Sequence, residues 1–497
     1  MLIIMTGLPG TGKSTVAAAL AREIGADVLS TDRIRGEGRR RPGFSKGEKG
    51  GVYERMFGRA EGRLRAGRNV ILDATFYLAS LRARARVVAR RAGACAFVLE
   101  VVSPERVVRE RMARRLRPAK SAFRPAGYAV HGYFLKSYEP VRGRHLFLDT
   151  ADSRAWRRDL VFVANAMRVV ERDRAIIGPL RRTCGLRLLQ THISWVLLDG
   201  RHAYKIKKPV RFSFVDYRSP ERRREFCRKE VRANARLSPG LYLGVVPVRD
   251  DAGAVSFGGP GRTVDAAVEM REMPQDARLD RLVAKSAVGP DEIGAIVRTL
   301  CAFHGRARVV RRGAGSRVAI RAGFAHAFRL KPLIEKEFSA GLALDRIVQK
   351  VDGFLGANEV LFRERVRQGR IRHGHGDLRM SNIFFEPGEV HIFDAIEFNP
   401  ALAVADVAAD VAYLAMDLRY CGRSDLAGRF VETYITCSGD EGLRAVADFY
   451  MCYRALVRLL VESLFLVDPT IGAGRKKRAR QASLRYLALA DAFARRL

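Results

Sequence analysis

A glycine-rich loop near the amino terminus has the residue types and spacing of a phosphate-binding loop. The segment from Gly7 to Ser14 matches the pattern GxxxxGK[ST], and it lies between an apolar run and a helical pattern. Glycines let backbone N–H groups turn toward phosphate oxygens, and the following helix adds its positive dipole end. We expect Lys13 to contact the β- and γ-phosphates of a nucleotide and Ser14 to coordinate Mg²⁺. The predicted nucleotide-binding residues of this loop are Gly7, Gly10, Gly12, Lys13, Ser14 and Thr15.

Further charged residues are expected near this loop. Asp73 ends the apolar segment VILD, where a carboxylate would hold Mg²⁺ through water, and an ordinary strand-terminal aspartate is the alternative. Asp32 and Arg35 form a DxxR pattern after the segment VLST. Arg111 and Arg115 lie four residues apart on a predicted helix. Their guanidinium groups would close over the nucleotide and neutralise charge on a transferred phosphoryl group, and a solvated arginine face is the alternative.

With these motifs the first part of the chain resembles the P-loop kinases of the polynucleotide-kinase and zeta-toxin type. The resemblance implies that Asp32 is the base that accepts a proton from an acceptor hydroxyl. It also implies that Arg35 contacts the substrate. A surface ion pair between the two residues is the alternative.

A second constellation lies far downstream, in the HGD loop, residues 375–382, with the sequence HGDLRMSN. It has the spacing HxDLxxxN, and the strand-like segment EVHIFD that follows ends at Asp394. A hydroxyl is a poor nucleophile, so this spacing suits chemistry in which a carboxylate orients it and a metal ion holds the γ-phosphate. We expect Asp377 to accept the hydroxyl proton, and Asn382 and Asp394 to ligate Mg²⁺.

A lysine and a glutamate upstream complete this second constellation. In the segment AYKIKKPV, Lys205 and Lys207 point to one face of a strand because they are two residues apart. Either lysine could bind the α- and β-phosphates, and we favour Lys205, with Glu230 on the following helical segment as its ion-pair partner. For Lys207 and Lys208 the alternative is a solvated strand end.

This second half resembles the aminoglycoside-phosphotransferase and choline-kinase branch of the kinase-like fold. The resemblance rests on HGDLRMSNIF, FDAIEF, THISWVLL, YKIKKPV and AFHGRA. The whole chain is similar to proteins described as bifunctional aminoglycoside phosphotransferase/ATP-binding protein, in which the kinase-like half comes first, whereas here the P-loop half leads. The resemblance implies that residues 191–195 form the turn over the phosphates and residues 269–271 the adenine-contacting hinge. It implies that Asp406 and Asp410 brace the HGD loop or line the acceptor pocket.

The periodicity of the sequence predicts the elements that must position these residues. Short apolar runs alternate with helical patterns over the first 150 residues, which indicates a parallel sheet with helices on both faces. From Leu186 onward two β-type runs meet at Asp199-Gly200, a hairpin dipeptide, and long helical segments follow. We predict an α/β P-loop domain at 1–170, a linker at 171–185 and an α+β kinase-like domain at 186–497.

Composition limits the partners and the setting. The 497 residues carry 90 Lys+Arg against 53 Asp+Glu, a net charge of +37, which favours polyanionic partners unless it reflects a general arginine bias. Apolar stretches fall well short of a membrane span, so we expect no membrane partner. The seven cysteines are scattered and form no CxxC, which argues against a disulfide framework and favours a reducing, cytoplasmic setting.

These observations together predict a two-domain phosphotransferase that uses ATP and Mg²⁺, with a small hydroxylated molecule as the acceptor of the second domain. A nucleic-acid-end kinase, with nucleic acid bound by the excess of basic residues, remains open as an alternative. An ATP-binding sensor with one inactive site is a further alternative. A polycationic acceptor such as an aminoglycoside would need a local acidic pocket, for which the candidates are Glu397, Asp406, Asp410 and Asp417.

Overall fold

The computed structural model describes residues 1–37, 46–115, 128–143, 145–212, 214–328, 331–468 and 471–497. The chain divides into two compact units, Met1–Ala175 with Val467–Ile471 and Ile176–Leu466 with Gly472–Leu497. The predicted linker, residues 171–185, is largely helical and includes a π-helical turn at Asp173–Ile177. No helix in the described ranges is long and apolar enough to cross a membrane.

The first unit alternates strands with helices. Its elements are β1 (Leu2–Thr6), α1 (Lys13–Ile24), β2 (Ala26–Ser30), α2 (Thr31–Gly36), α3 (Lys46–Arg65), β3 (Asn69–Asp73), α4 (Ala79–Arg91), β4 (Ala96–Val102), α5 (Glu105–Arg115), α6 (Tyr128–Ser137), β5 (Leu146–Asp149) and α7 (Ala155–Arg172). The five strands form one sheet in the order β2-β3-β1-β4-β5. All neighbouring strands are parallel, which confirms the predicted fold class.

Helices cover both faces of this sheet, because alternate residues of β1 enter different cores. Leu2 and Ile4 pack with residues of α3 and α4, whereas Ile3 and Met5 pack with residues of α1 and α7. A parallel strand that is buried on both faces reads as a continuous apolar run, as LIIM does. This arrangement puts the loops that follow β1, β2 and β3 at one edge, where ligands of open α/β sheets bind.

The second unit begins with a short helix and an antiparallel sheet. The elements of this part are α8 (Gly178–Cys184), β6 (Arg187–Gln190), β7 (Ser194–Leu198), β8 (His202–Lys207), β9 (Arg211–Phe212), β10 (Val215–Asp216), α9 (Pro220–Asn234), β11 (Tyr242–Asp251), β12 (Ala254–Phe257) and β13 (Arg262–Arg271). Six strands are ordered β12-β11-β13-β8-β7-β6, and α9 packs against β11 and β13. The hairpin predicted at Asp199-Gly200 joins β7 to β8, and Gly200 has φ 94°.

The remainder of the second unit is mainly helical. Its elements are α10 (Leu279–Ala284), α11 (Pro290–Arg306), α12 (Arg317–Phe328), α13 (Lys331–Phe338), α14 (Gly341–Ala357), α15 (Glu359–Arg367), β14 (Ile371–His373), β15 (Ile383–Glu386), β16 (Glu389–Ile392), α16 (Pro400–Ala403), β17 (Val404–Asp406), α17 (Ala408–Tyr420), α18 (Ser424–Ser438), α19 (Leu443–Val467) and α20 (Ala473–Ala494). A large apolar core runs through α11, α14, α17, α18 and α19. The hairpin of β15 and β16 follows the HGD loop and leads to Asp394. An antiparallel sheet followed by a helical part confirms the predicted α+β class.

Candidate functional site

The glycine-rich loop joins β1 to α1 in a conformation that only glycine adopts easily. Gly7 has φ 137°, and a Cβ atom on it would lie 2.2 Å from the carbonyl oxygen of Val101. Gly12, with φ 93°, caps α1, which has no side-chain cap. The first N–H groups of a helix have no intrahelical acceptor, so those of α1 can donate to a phosphate.

Lys13, Ser14 and Asp73 lie together at the carboxyl edge of the sheet. Lys13 is buried, and its Nζ donates to the carbonyl oxygen of Leu8 at 2.9 Å. Burial raises the pKa of Asp73 above its usual value, against the opposing effects of a hydrogen bond from Ser14 and the charge of Lys13. A hydroxyl beside a carboxylate provides hard oxygen ligands of the kind that Mg²⁺ prefers, so these two residues fit the predicted metal role. Thr15, next in the chain, is exposed.

Asp32 and Arg35 lie on α2, directly after β2. The Arg35 Nη1 donates to Asp32 Oδ1 at 3.0 Å, so the two residues form the ion pair that sequence analysis left open. The Asp32 side chain is 76% exposed, and its carboxylate remains accessible to an incoming hydroxyl. Because β2 pairs with β3 so that Ser30 lies opposite Asp73, this ion pair and the Asp73 carboxylate share one edge of the sheet.

Arg111 lies beside the glycine-rich loop. Its Nη1 donates to Thr150 Oγ1 at 2.8 Å, and the Thr150 hydroxyl donates to the carbonyl oxygen of Thr11 at 2.7 Å. A Cβ atom on Gly12 would lie 3.5 Å from the same Arg111 nitrogen. The side chain of Arg115 lies outside the described residues. Sequence analysis missed Thr150, because a threonine after the fifth strand has no motif of its own.

In the second unit Lys205 joins two carboxylates. Its Nζ lies 2.7 Å from Glu230 Oε1 and 2.5 Å from Asp394 Oδ1. Burial alone would lower the pKa of Lys205, but the two carboxylates outweigh that effect and raise it well above its usual value. Asp394 adopts φ 65°, a left-handed conformation that is costly for a non-glycine residue and concentrates at functional positions. The lysine, the glutamate and the aspartate predicted from separate segments therefore meet at one place.

A second lysine extends this group. The Nζ of Lys207 lies 2.7 Å from Glu230 Oε2 and 2.5 Å from Glu397 Oε1. Lys207 and Lys208 are only 1% and 7% exposed, so their interpretation as a solvated strand end is wrong. Lys208 Nζ instead donates to the carbonyl oxygen of Thr191 at 2.6 Å. These alternating acidic and basic side chains form a charge array, which consists of Asp394, Lys205, Glu230, Lys207 and Glu397.

Asp377 and Asn382 are held by the HGD loop itself. The Asn382 Nδ2 donates to the backbone carbonyl of Asp377 at 3.0 Å, which leaves the amide oxygen as a potential metal ligand. Arg379 Nε lies 3.4 Å from Asp377 Oδ2. Burial would raise the pKa of Asp377, but the guanidinium groups of Arg379 and Arg458, with a hydrogen bond from Tyr413, hold it below its usual value.

Asp410 braces the HGD loop. Its two carboxylate oxygens accept the backbone N–H groups of His375 at 2.6 Å and Gly376 at 2.9 Å. The His304 Nε2 lies 3.3 Å from Asp410 Oδ2. Burial would raise the pKa of Asp410, but His304, Arg454 and His375 hold it far below the usual range of an aspartate. The family resemblance implies that Asp410 either braces the HGD loop or lines the acceptor pocket, and these contacts correspond to bracing.

The predicted acidic pocket is not formed by the four carboxylates proposed for it. Asp406 pairs with the buried guanidinium of Arg365, which also binds Asp440 at 2.8 Å. Asp417 accepts the backbone N–H of Met380 at 3.0 Å. Glu397 and Asp410 have the partners described above. The prediction was wrong because acidic composition does not show which carboxylates are used by neighbouring cations.

Comparison with known proteins gives a family match to part of the first unit. A family model described as an AAA domain matches residues 2–141, the part of the chain that contains the glycine-rich loop and its parallel sheet. The first unit has the fold of a P-loop domain, a parallel five-stranded sheet with helices on both faces. The second unit has a kinase-like fold, in which Lys205 on the antiparallel sheet pairs with Glu230 on α9 and the HGD loop and Asp394 follow. The fusion of these two folds on one chain, expected from the sequence resemblance, is confirmed.

Relatives and solved structures share parts of the chain. The uncharacterized protein Rv2004c of Mycobacterium tuberculosis is 36% identical over 277 residues, 55% of this chain and 54% of that protein. The chain thus spans about half the length of the curated relatives it matches. The Mycobacterium tuberculosis APS kinase CysC, in complex with AMPPNP and APS, is 24% identical over 33% of this chain and 94% of its own, with a TM-score of 0.27. A choline/ethanolamine kinase family protein from Mesorhizobium loti is 15% identical over 62% and 92%, with a TM-score of 0.38.

Proposed function

We propose that the chain is an ATP-dependent phosphotransferase in which each unit binds its own nucleotide. The observation that supports this most strongly is the contact of Lys205 with both Glu230 and Asp394, at 2.7 and 2.5 Å, in the unit that also carries the HGD loop. A lysine held by a helix glutamate, beside an aspartate placed to ligate a metal, is the arrangement that phosphoryl transfer to a hydroxyl requires.

In the second unit each residue has a separate task. Lys205 contacts the α- and β-phosphates while Glu230 fixes its position. Asp394 and the amide oxygen of Asn382 hold Mg²⁺, which when bound neutralises phosphate charge. Asp377, ionised at neutral pH because its pKa is held low, accepts a hydrogen bond from the acceptor hydroxyl and orients it toward the γ-phosphate.

In the first unit the glycine-rich loop and the start of α1 bind the triphosphate. Lys13 reaches the β- and γ-phosphates, and Ser14 with Asp73 holds Mg²⁺. Asp32 accepts the proton of a second acceptor and Arg35 keeps its carboxylate in place through their 3.0 Å contact. Arg111 neutralises charge on the phosphoryl group from its position beside the loop.

Nucleotide stoichiometry tests the division into two sites. The full chain is titrated with AMPPNP and Mg²⁺ by calorimetry, and two molecules should bind. Lys13→Met should remove the site of the first unit alone, and Lys205→Met that of the second unit alone. A stoichiometry of one in the unaltered chain would contradict the proposal.

Turnover tests the role of Asp377. In full-length protein that carries Lys13→Met, Asp377→Asn should lower ADP release by about 10²- to 10⁴-fold, the contribution of general acid–base groups. Asp425→Asn is the matched control, since Asp425 forms an exposed ion pair with Arg423 at 2.7 Å and should not affect turnover. Equal ADP release with and without Asp377→Asn would exclude this residue from the reaction.

A further inference from the structure

Two guanidinium groups, one within the HGD loop and one on α19, act on Asp377. Arg379, two residues along the HGD loop, lies 3.4 Å from its carboxylate. Arg458, on α19, is the second positive charge that lowers the pKa of Asp377. Burial would lower the pKa of Arg458, but Tyr413, Tyr486 and Asp377 outweigh that effect and keep it charged. The carboxylate that orients the acceptor hydroxyl therefore contacts one cation and is influenced electrostatically by a second.

The positive charge continues away from Asp377 along α19 and α20. Glu462 accepts Arg458 Nη2 at 3.0 Å and Arg475 Nη2 at 3.0 Å, so one carboxylate is shared by two guanidinium groups. Arg475 lies over the ring of Phe465, 3.6 Å from its centroid, and the His192 ring lies 3.8 Å from the same centroid. This contact connects the helices to the turn at 191–195.

The imidazole of His192 adds no charge to this region. Burial, together with the positive charges of Lys208, Arg475 and Arg458, lowers the pKa of His192 to about 4. We use the term cationic cluster for Arg379, Arg458, Arg475 and Lys208. Against its four positive charges stand three carboxyl groups, Asp377, Asp417 and Glu462.

Donor groups in the cationic cluster remain available to a ligand. Arg458 uses its Nε and Nη2 atoms for contacts with Tyr486 and Glu462, and its Nη1 donates to no acceptor within the described part of the chain. The Arg379 side chain is 25% exposed, so a ligand can approach it, although its Nε is buried and lies 3.4 Å from Asp377 Oδ2. A guanidinium group offers five N–H donors in a planar fork that matches carboxylate and phosphate oxygens.

We propose that the acceptor of the second unit is a small anionic molecule, bearing a carboxylate or phosphate group beside the hydroxyl that is phosphorylated, and that Arg379 and Arg458 bind this group. The proposal rests on the proposed function of the second unit. The acceptor oxygen bonds to the γ-phosphorus of ATP while the bond from that phosphorus to ADP breaks, and the hydroxyl proton passes to Asp377. A cationic acceptor is disfavoured there, because the carboxylates that would attract it are paired.

Binding of matched small molecules tests the inference independently of turnover. Glycerate, glycerol 3-phosphate, glycerol and choline all carry a hydroxyl but differ in charge, and the first two distinguish a carboxylate from a phosphate. Their affinities are measured by calorimetry on the full chain carrying Lys13→Met and saturated with AMPPNP and Mg²⁺, which removes anion binding by the glycine-rich loop. At least one anionic probe should bind about tenfold or more tightly than glycerol or choline, as one hydrogen bond to a charged group implies.

Substitutions distinguish binding by the cationic cluster from nonspecific attraction of an anion to the positively charged chain. Arg458→Met should weaken the anionic probe by about tenfold or more, and Arg444→Met, at an exposed ion pair with Glu432, should not. Glu462→Gln, which removes a competing carboxylate, should strengthen binding of the same probe, a gain that a folding defect cannot imitate.

Two outcomes would overturn the inference: no preference for either anionic probe, or a preference that Arg458→Met and Glu462→Gln leave unchanged. Failure of the proposed function is a different result, because AMPPNP would then not bind to the Lys13→Met protein. If AMPPNP binds and choline is preferred, only the inference fails.

Discussion

Replacing Lys207 by methionine tests whether the buried ion pairs of the charge array stabilise the second unit. The substitution keeps an apolar stem of similar length and removes the ammonium group that Glu230 and Glu397 share at 2.7 and 2.5 Å. Lys207 is 1% exposed, so water cannot replace the lost partner. Removing one member of a buried ion pair costs about 3–5 kcal/mol, because an uncompensated buried charge remains. We expect the free energy of unfolding of the second unit to fall by that amount at neutral pH.

The loss of unfolding free energy caused by Lys207→Met should be smaller at low pH than at high pH. Burial raises the pKa of Glu397, although Lys207 opposes this effect, and loss of the ammonium raises the pKa of Glu397 further. Burial would also raise the pKa of Glu230, but Lys205 and Lys207 hold it below its usual value, so loss of Lys207 raises that pKa as well. A carboxyl whose pKa is raised in the folded state binds more protons when folded, so its stabilising contribution is present at low pH and lost as pH rises. The variant should therefore be closer to the unaltered protein at pH 5 than at pH 8.

Urea unfolding followed by tryptophan fluorescence measures this deficit in one unit. The chain has two tryptophans, and Trp156→Phe leaves Trp195, on β7 beside β8, as a reporter of the second unit. Lys229→Met is the matched control, since Lys229 adjoins Glu230 in the chain but forms an exposed pair with Glu225, worth about 0.5 kcal/mol or less. A Lys207→Met deficit no larger than that control, or one that does not shrink at pH 5, would refute the reasoning.

A second substitution isolates the unpaired carboxylate as the cause. Adding Glu397→Gln to Lys207→Met removes one of the two orphaned charges and should restore about 1–3 kcal/mol, the desolvation cost of an unsatisfied polar group. Additive destabilisation by the two substitutions would show that the residues are not coupled and that the deficit has another origin.

Three further perturbations have defined outcomes. Gly7→Ala should lower the ATP affinity of the first unit at least tenfold in calorimetry, because the new Cβ would lie 2.2 Å from the Val101 oxygen and force the loop to move. Unchanged affinity would contradict the inference that this position requires glycine. Arg365→Met should destabilise the second unit by about 3–5 kcal/mol in urea, since two buried aspartates lose their shared partner; a loss below about 1 kcal/mol would contradict it. Asp410→Asn should flatten the loss of stability on acidification: the lowered pKa of Asp410, paired with His304, stabilises the fold above about pH 4 and ceases to do so as pH falls. An acid limb as steep as that of the unaltered chain would refute this last expectation.

The parts of the molecule that could be predicted are those encoded locally. The glycine-rich loop is complete within eight residues, and its strand and helix adjoin it. The strands of the first sheet are short apolar runs between helical patterns, so their period and spacing suffice. The HGD loop was recognisable for the same reason, because Asp377 and Asn382 lie five residues apart.

The parts that could not be predicted depend on partners far apart in the chain. Alternation along a strand places Lys207 on the same face as Lys205. That spacing is the one sequence signal that Lys207 could belong to the same group of charges. Its partner Glu397 lies 190 residues away, on the segment after Asp394, and no local pattern connects the two. Arg458 likewise lowers the pKa of Asp377 only because α19 packs beside the HGD loop, where Arg454 Nη1 donates to the carbonyl oxygen of Gly376 at 3.0 Å.

The positive charges near Asp377 affect both the basicity of its carboxylate and the charge of the acceptor that the site prefers. Arg379 and Arg458 lower its pKa, so the carboxylate stays ionised but is a weak base. A weak base serves a reaction in which the hydroxyl proton leaves late, after the bond to phosphorus has begun to form, as in a loose transition state. The same guanidinium groups attract an anionic acceptor. Removing them to admit a cation would raise the pKa of Asp377, so a change of acceptor charge would also change how the hydroxyl is activated.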